Sequence, residues 1–387
     1  MKHSVRVLCS GAVLLGLLFS GSPSIGEGNT TVPVDPSSSA PSATPSNPTE
    51  TPGGQAGSVT IDIKRLSGND RYGTAIAITK HLYKDHEAKD VILASGEQFP
   101  DAITAANFFK TKQAMPLLLT PAAGLTKEVK DELTRLAATK ARVIVIGGEK
   151  AINASVVDEL TGMGLQPARL AGPDRQSTSV AIANQTRGRG QSGLAVVTPA
   201  DDFALGVFGA SLATHSDANH LIAFNQVPLQ TSVKDYFLQR KTRQAIVLGD
   251  AFDFSLPKTS FEVIRSNNPE AVPTVVCYPN SNCVGSTDFE PPASGQQTVV
   301  ENMLVKHFNE ATNIVMVASD KPVDGIAATQ LAAQLDAPIL PIEPKFVHRY
   351  LGVIKQLGKK DRNFYLIGGE EAIGEQIAGQ INRVMKD

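Results

Sequence analysis

An α/β fold with parallel sheets, repeated three times in tandem, is what this sequence predicts. Two observations carry that expectation: short β-branched runs alternate with amphipathic helical stretches, and the same order of motifs then recurs along the chain. In the first copy Val91-Ile-Leu-Ala reads as a strand and residues 101–110 as a helix. Pro116-Leu-Leu-Leu is strand-like again, and residues 126–137 set Val129, Leu133 and Leu136 at helical spacing. Arg142-Val-Ile-Val-Ile is a further strand, stopped by Gly147-Gly148. Such alternation argues for parallel strands joined by right-handed helical crossovers.

Recurrence is the most informative feature. Arg65-Leu-Ser-Gly-Asn-Asp-Arg-Tyr-Gly-Thr returns as Arg169-Leu-Ala-Gly-Pro-Asp-Arg-Gln-Ser-Thr, each opening a helix near Thr74 or Thr178. Ile144-Val-Ile-Gly-Gly returns as Tyr365-Leu-Ile-Gly-Gly, with Ile246-Val-Leu-Gly between them. Ile92-Leu-Ala-Ser-Gly pairs with Met316-Val-Ala-Ser-Asp, and Asp101-Ala-Ile with Asp324-Gly-Ile. Thr74 and Thr178 are 104 residues apart and Gly147 and Gly249 are 102, whereas Gly249 and Gly368 are 119 apart. The third copy therefore carries an insertion, around residues 277–294. The resulting division is repeat 1 at 59–167, repeat 2 at 168–271 and repeat 3 at 272–387.

Ahead of the repeats, Lys2 and Arg6 precede an apolar run from Val7 to Phe19 and then small residues, the pattern of a secretion signal over residues 1–27. No second run long enough to span a membrane follows. Residues 28–58 are dominated by Pro, Ser, Thr, Gly and Asn and read as a disordered linker or stalk. Loss of Lys2 and Arg6 would take the formal net charge from −2 to −4. Without a basic block, sequence-independent nucleic-acid binding is excluded as the expectation. Cleavage would leave Cys277 and Cys283, whose spacing in an exported chain predicts a local disulfide across a surface turn.

These repeats resemble the cell-wall-binding repeat 2 family, found in triplicate on secreted proteins of Gram-positive bacteria. The residues carrying the resemblance are Arg65–Thr74, Ser95-Gly96 with Phe99-Pro-Asp-Ala, Pro116–Thr120 and Ile144–Gly148. The likeness is strong in the first copy, partial in the second and weak over the first half of the third. There, Ser294-Gly295 stand where Asp70-Arg71 would be, and in the second copy Leu205 stands where Asp101 would be. The resemblance implies Rossmann-like units around a pseudo-threefold axis, retaining a protein on the wall by binding an anionic secondary wall polysaccharide. An adhesin or scaffold for an unidentified protein partner, or a carbohydrate-active enzyme, is the alternative.

Candidate ligand residues follow from both lines. Asp70-Arg71 and Asp174-Arg175 either contact sugars and phosphate or cap the following helix and join repeats; Arg65 and Arg169, just before these turns, share that choice. Asp101 and Asp324 are expected to cap helices, with ligand contact as the other role. Gly147-Gly148 and Gly368-Gly369 end strands and lead into helices expected at 149–160 and 370–385. They serve as turn glycines or as an anion seat. Ser95, from the family motif, and Thr120, beyond the buried strand Leu117-Leu118-Leu119, sit where ligands of parallel sheets bind. Neither glycine pair has dinucleotide spacing, and no nucleophile elbow, zinc-protease or P-loop motif occurs. The expectation is no catalytic residue, no metal and no cofactor.

Overall fold

The computed structural model describes residues 59–109, 115–186, 194–199, 201–215, 220–224, 230–239, 244–248, 274–278, 300–301, 304–305, 307–343, 347–358 and 360–386. The expected signal, the linker, Cys283 with its loop bond, and Ser294-Gly295 lie outside the described residues; Cys277 falls in a strand. In chain order the strands are β1 (Ile61–Leu66), β2 (Ala88–Ser95), β3 (Leu117–Thr120), β4 (Ala137–Ile146), β5 (Gln166–Leu170) and β6 (Leu194–Pro199). Then come β7 (His220–Phe224), β8 (Gln244–Leu248), β9 (Thr274–Tyr278), β10 (Asn313–Ala318), β11 (Ile339–Ile342) and β12 (Arg362–Ile367). The helices are α1 (Arg71–Leu82), α2 (Phe99–Ile103) running into a 3-10 turn (Thr104–Phe108), α3 (Lys127–Leu136), α4 (Ala154–Gly162) and α5 (Arg175–Gln185). They continue with α6 (Phe203–His215), α7 (Thr231–Gln239), α8 (Pro322–Leu335), α9 (Val347–Gln356) and α10 (Glu375–Lys386).

Among the described residues three four-stranded sheets result, in the orders β3-β2-β4-β5, β7-β6-β8-β9 and β11-β10-β12-β1, every pairing parallel. The α/β fold with parallel sheets is thus the one expected. The sheets, however, exchange strands. The Arg169-Leu170 strand that opens the second copy lies beside β4, with Val145 opposite Arg169 and Ile146 opposite Leu170. Its counterpart Arg65-Leu66, in the first described strand, lies beside the last described one, opposite Leu366 and Ile367. Beginning and end of the described chain are therefore held in one sheet.

Three equivalent helical segments, α2 with its 3-10 turn, α6 and α8, contact one another between the sheets. Their sequences explain the position. In α6, Phe203, Leu205, Val207, Phe208, Ala210, Leu212 and Ala213 are buried, so the helix is apolar on all sides and must sit inside. Phe99 meets Phe203 edge to face at 5.4 Å, and a Cβ on Gly325 would come within 2.7 Å of the Phe203 ring. Each segment also lies on the edge strand of another sheet: α8 on β3, the 3-10 turn on β7 and α6 on β11. At the first of these contacts Gln330, fully buried, accepts from the Leu117 N–H and donates to the Leu117 carbonyl, both at 2.9 Å. A side-chain amide thereby satisfies the open backbone edge of β3, which a buried edge strand requires.

Two local expectations change. The ladder sets Met316 beside Leu366 and Ile92 beside Ile144, and Ser319 N–H bonds Ile342 as Gly96 N–H bonds Thr120. Ser319 thus matches Gly96, one residue off the expected pairing, and Ser95 has Ala318 as its counterpart. The helices after the glycine pairs begin at Ala154 and Glu375, not at residues 149 and 370. Gly148 and Gly369 carbonyls each accept two following amides (Ala151 and Ile152; Ala372 and Ile373), which closes a turn before the helix starts.

Candidate functional site

The Arg-Leu-x-Gly-x-Asp-Arg segment builds the same corner twice, at the carboxyl ends of the strands. Asp70 is the N-cap of α1, accepting from Gly73 N–H at 2.7 Å, and Asp174 caps α5, accepting from Ser177 N–H at 2.9 Å. The turn is tied back by Gly68 N–H to Thr74 Oγ1 at 3.2 Å and by Gly172 N–H to Thr178 Oγ1 at 3.0 Å. Capping by the aspartate places Arg71 and Arg175 as the first residues of their helices, and both are exposed.

Arg65 and Arg169 do something different. Arg65 Nη1 donates to the Gly368 carbonyl at 3.0 Å, and Arg169 Nη1 donates to the Gly147 carbonyl at 2.8 Å. Arg65 also pairs with Glu375 at 2.9 Å. These two arginines fasten an exchanged strand to the glycine turn of its neighbour. Gly147 and Gly368 have φ of 101° and 106°, where glycine is favoured. A Cβ there would also meet Asp101 Oδ2 at 3.2 Å and Asp324 Oδ2 at 2.8 Å respectively.

Those aspartates are half-buried charged groups at the joints. Asp101 and Asp324 lie in the first turns of α2 and α8, but neither helix receives a side-chain cap bond; the N-cap positions are Gln98 and Lys321. In each carboxylate Oδ1 is buried and has no hydrogen-bond partner. Burial holds the Asp101 carboxyl above the usual carboxylate range, opposed by nearby Arg175 and reinforced by Asp174. Burial likewise raises Asp324, opposed by a hydrogen bond from Thr74 and by Arg71 and Lys321, with Asp70 adding to the rise. Asp101 of repeat 1 thus faces the Asp-Arg corner of repeat 2, and Asp324 of repeat 3 faces that of repeat 1.

A carboxyl raised in the folded state binds its proton more tightly there than in the unfolded chain, so stability falls as pH rises from the unfolded pKa through the folded one. The strain is present at neutral pH and relieved by acid. Asp101→Asn and Asp324→Asn are accordingly expected to raise Tm at pH 7 and to leave it nearly unchanged near pH 3.5, which thermal melts across that range would check. An equal shift at both pH values would contradict the assignment.

Around the joint between repeats 3 and 1, Arg71 Nη1 donates to the Gly96 carbonyl at 2.6 Å. Tyr72 leans over the same glycine, where a Cβ would strike its ring at 2.5 Å. Tyr72 was not singled out from the sequence, although it lies inside the repeated motif; burial and then Glu97 raise its phenol above the usual value. Ser95 is buried and its Oγ accepts from the Glu97 and Gln98 amides at 3.1 and 3.2 Å. Thr120 is buried and donates to the Pro121 and Gly124 carbonyls at 3.2 and 3.3 Å. Both shape loops. Gly148 and Gly369 have open space where a side chain would stand. The arrangement brings together Arg71 with Asp324 and Arg175 with Asp101, and leaves Ser95, Thr120, Arg65 and Arg169 in supporting positions. Among the described residues no helix is long and apolar enough to cross a membrane, and no group of three potential metal ligands occurs.

Residues 65–157 and 294–378 match the model of the family described as cell wall binding domain 2 (CWB2). Over 322 residues the chain is 26% identical to the N-acetylmuramoyl-L-alanine amidase LytC of Bacillus subtilis (strain 168), covering 82% of this chain and 58% of that protein. Among solved structures it resembles Cwp8 from Clostridium difficile, with TM-score 0.67 and 19% identity over 84% of this chain and 52% of that one. It also resembles Cwp6 from Clostridium difficile, with TM-score 0.65 and 21% identity over 84% and 48%. The chain spans about half the length of these relatives, and the two structures bear on the fold alone. Residues 65–157 and 294–378 of the chain are thus cell wall binding domain 2 (CWB2) segments, set in a fold like that of the two Clostridium difficile proteins.

Proposed function

We propose that this chain holds itself, and whatever it is joined to, on the bacterial cell surface by binding an anionic secondary wall polysaccharide. The observation that carries the reading is an exposed arginine beside a half-buried carboxylate at two corners, Arg71 by Asp324 and Arg175 by Asp101. An exposed guanidinium at the carboxyl ends of parallel strands is suited to carboxylate or phosphate on a polymer. Arginine 71 and 175 are the ligand contacts in this reading, while Arg65, Arg169, Asp70 and Asp174 hold the corners that present them. Secretion through the signal at residues 1–27 belongs to the same proposal. So does a binding role without catalysis; whatever activity a relative carries stays with that relative.

Sedimentation with purified walls tests this. The protein is expected to pellet with walls that keep their anionic polymer and to stay in solution with walls stripped of it. Retention should also weaken with salt, since exposed charges are screened over roughly 10 Å at 0.1 M ionic strength. Equal pelleting with bare peptidoglycan would overturn the proposed ligand.

A further inference from the structure

The three joints of this molecule are not alike. Asp101 and Asp324 occupy the same place in repeats 1 and 3, since each follows a strand end by the same turn and each lies against a strand-ending glycine, Gly147 or Gly368. The corresponding residue of repeat 2, four positions after Asp201 and two after Phe203, is Leu205. Its backbone N–H bonds Asp202 Oδ1 at 3.0 Å, and its side chain is only 2% exposed. In the sequence, the Asp-Arg corner that would face it is Ser294-Gly295, outside the described residues. By sequence, the second copy lacks the carboxylate and the third lacks the Asp-Arg pair, while Asp101 with Arg175 and Asp324 with Arg71 are kept together. Losing one alone would leave a half-buried carboxylate without its counter-charge, or an arginine without its partner. Loss of both is the pattern of two residues that work as one unit.

We infer that this chain carries two ligand crevices. One is formed by Arg175, Asp101 and the Gly147 turn, the other by Arg71, Asp324 and the Gly368 turn. No third crevice forms at Leu205, which offers no carboxylate. Each crevice takes a sugar that carries an anionic group next to a free hydroxyl. The exposed guanidinium forms paired hydrogen bonds with the carboxylate or phosphate. The half-buried carboxylate accepts from the hydroxyl. A chain of phosphates without hydroxyls meets the same carboxylate as a like charge and is rejected. This inference rests on the wall-polymer reading above.

Calorimetric titration with short acidic oligosaccharides released from the wall tests it, the fragments being too short to bridge two crevices. The full chain is expected to bind two per molecule. Arg71→Ala and Arg175→Ala should each reduce this to one, and the double variant should bind none. Asp101→Asn and Asp324→Asn keep side-chain shape and fold. Each should lower affinity at its own crevice by about tenfold, the scale of one charge-assisted hydrogen bond. Inorganic polyphosphate should compete weakly; competition equal to the oligosaccharide would overturn the hydroxyl contact. One or three sites per chain, or two sites surviving in the double arginine variant, would overturn the two-crevice inference while leaving wall binding intact. No binding of the oligosaccharide by the unaltered chain would overturn the wall-polymer reading, and the inference with it.

Discussion

Gln330→Leu is expected to lower the melting temperature by about 10 °C while leaving secondary structure content near that of the parent. The leucine fits the apolar surroundings of α8, but it strands both the N–H and the carbonyl of Leu117 in the interior. Each orphaned buried backbone group costs about 1–3 kcal/mol. At about 2–4 °C per kcal/mol for a domain of this class, the two together give that shift. The effect should be seen as well in amide hydrogen exchange, with the Leu117 N–H losing protection before its neighbours on β2. Calorimetry of the variant checks the first expectation. An unchanged Tm would show that the edge of β3 is closed by something other than this amide.

Gly68→Ala and Gly172→Ala are expected to be the next most damaging single changes. A Cβ on Gly68 would overlap the Gly73 carbonyl carbon and stand 2.6 Å from the Thr74 nitrogen. On Gly172 it would meet the Ser177 carbonyl carbon at 2.5 Å and the Thr178 nitrogen at 2.6 Å. The obstacle is main chain in both cases, so no rotamer relieves it, and the turn must open away from its helix. That breaks the bonds to Thr74 or Thr178 and moves the aspartate cap. A loss of about 3 kcal/mol is expected, the upper part of the range for forced overpacking. Chemical denaturation measures it. Gly148→Ala, where a side chain meets nothing within 4 Å, is the control and should be close to neutral.

Much of this was readable from residues. The repeated Arg-Leu-x-Gly-x-Asp-Arg-x-x-Thr segment marked the corner, and an aspartate just ahead of a helical stretch is a cap by the ordinary preference for short acceptors. Leu117, Leu118 and Leu119 were expected in the core and are fully buried. Which strand pairs with which was not readable. Arg65-Leu66 joins a strand some three hundred residues away, and periodicity along the chain carries no information on so distant a partner. For the same reason Arg65 and Arg169 looked equivalent to Arg71 and Arg175 in the sequence, although the first pair fastens strands and the second faces outward. Asp101 and Asp324 looked like caps because they follow a proline at the start of a helix. In fact the helix begins two residues before each aspartate, and the carboxylates face the joint. One signal was available and unused: Asn107 and Gln330, both amides, stand six residues after Asp101 and Asp324. A side-chain amide at the same place in two buried helices points to a backbone edge in need of a partner.

The central claim is that Arg71 and Arg175 attach this chain to the wall, and the most direct measurement is wall affinity of the Arg71→Ala/Arg175→Ala protein beside its melting temperature. Both side chains are exposed, and the only hydrogen bond given up within the described protein by Arg71 is that to the Gly96 carbonyl. Tm is expected to fall by several degrees at pH 7 with the native fold kept, since the charge-assisted bond to Gly96 is lost and Asp324 and Asp101 lose the arginines that oppose their burial. Two charge-assisted contacts at about 1.5–3 kcal/mol each predict at least a hundredfold loss of affinity for polymer-bearing walls. Parental affinity in a normally folded double variant would contradict the account.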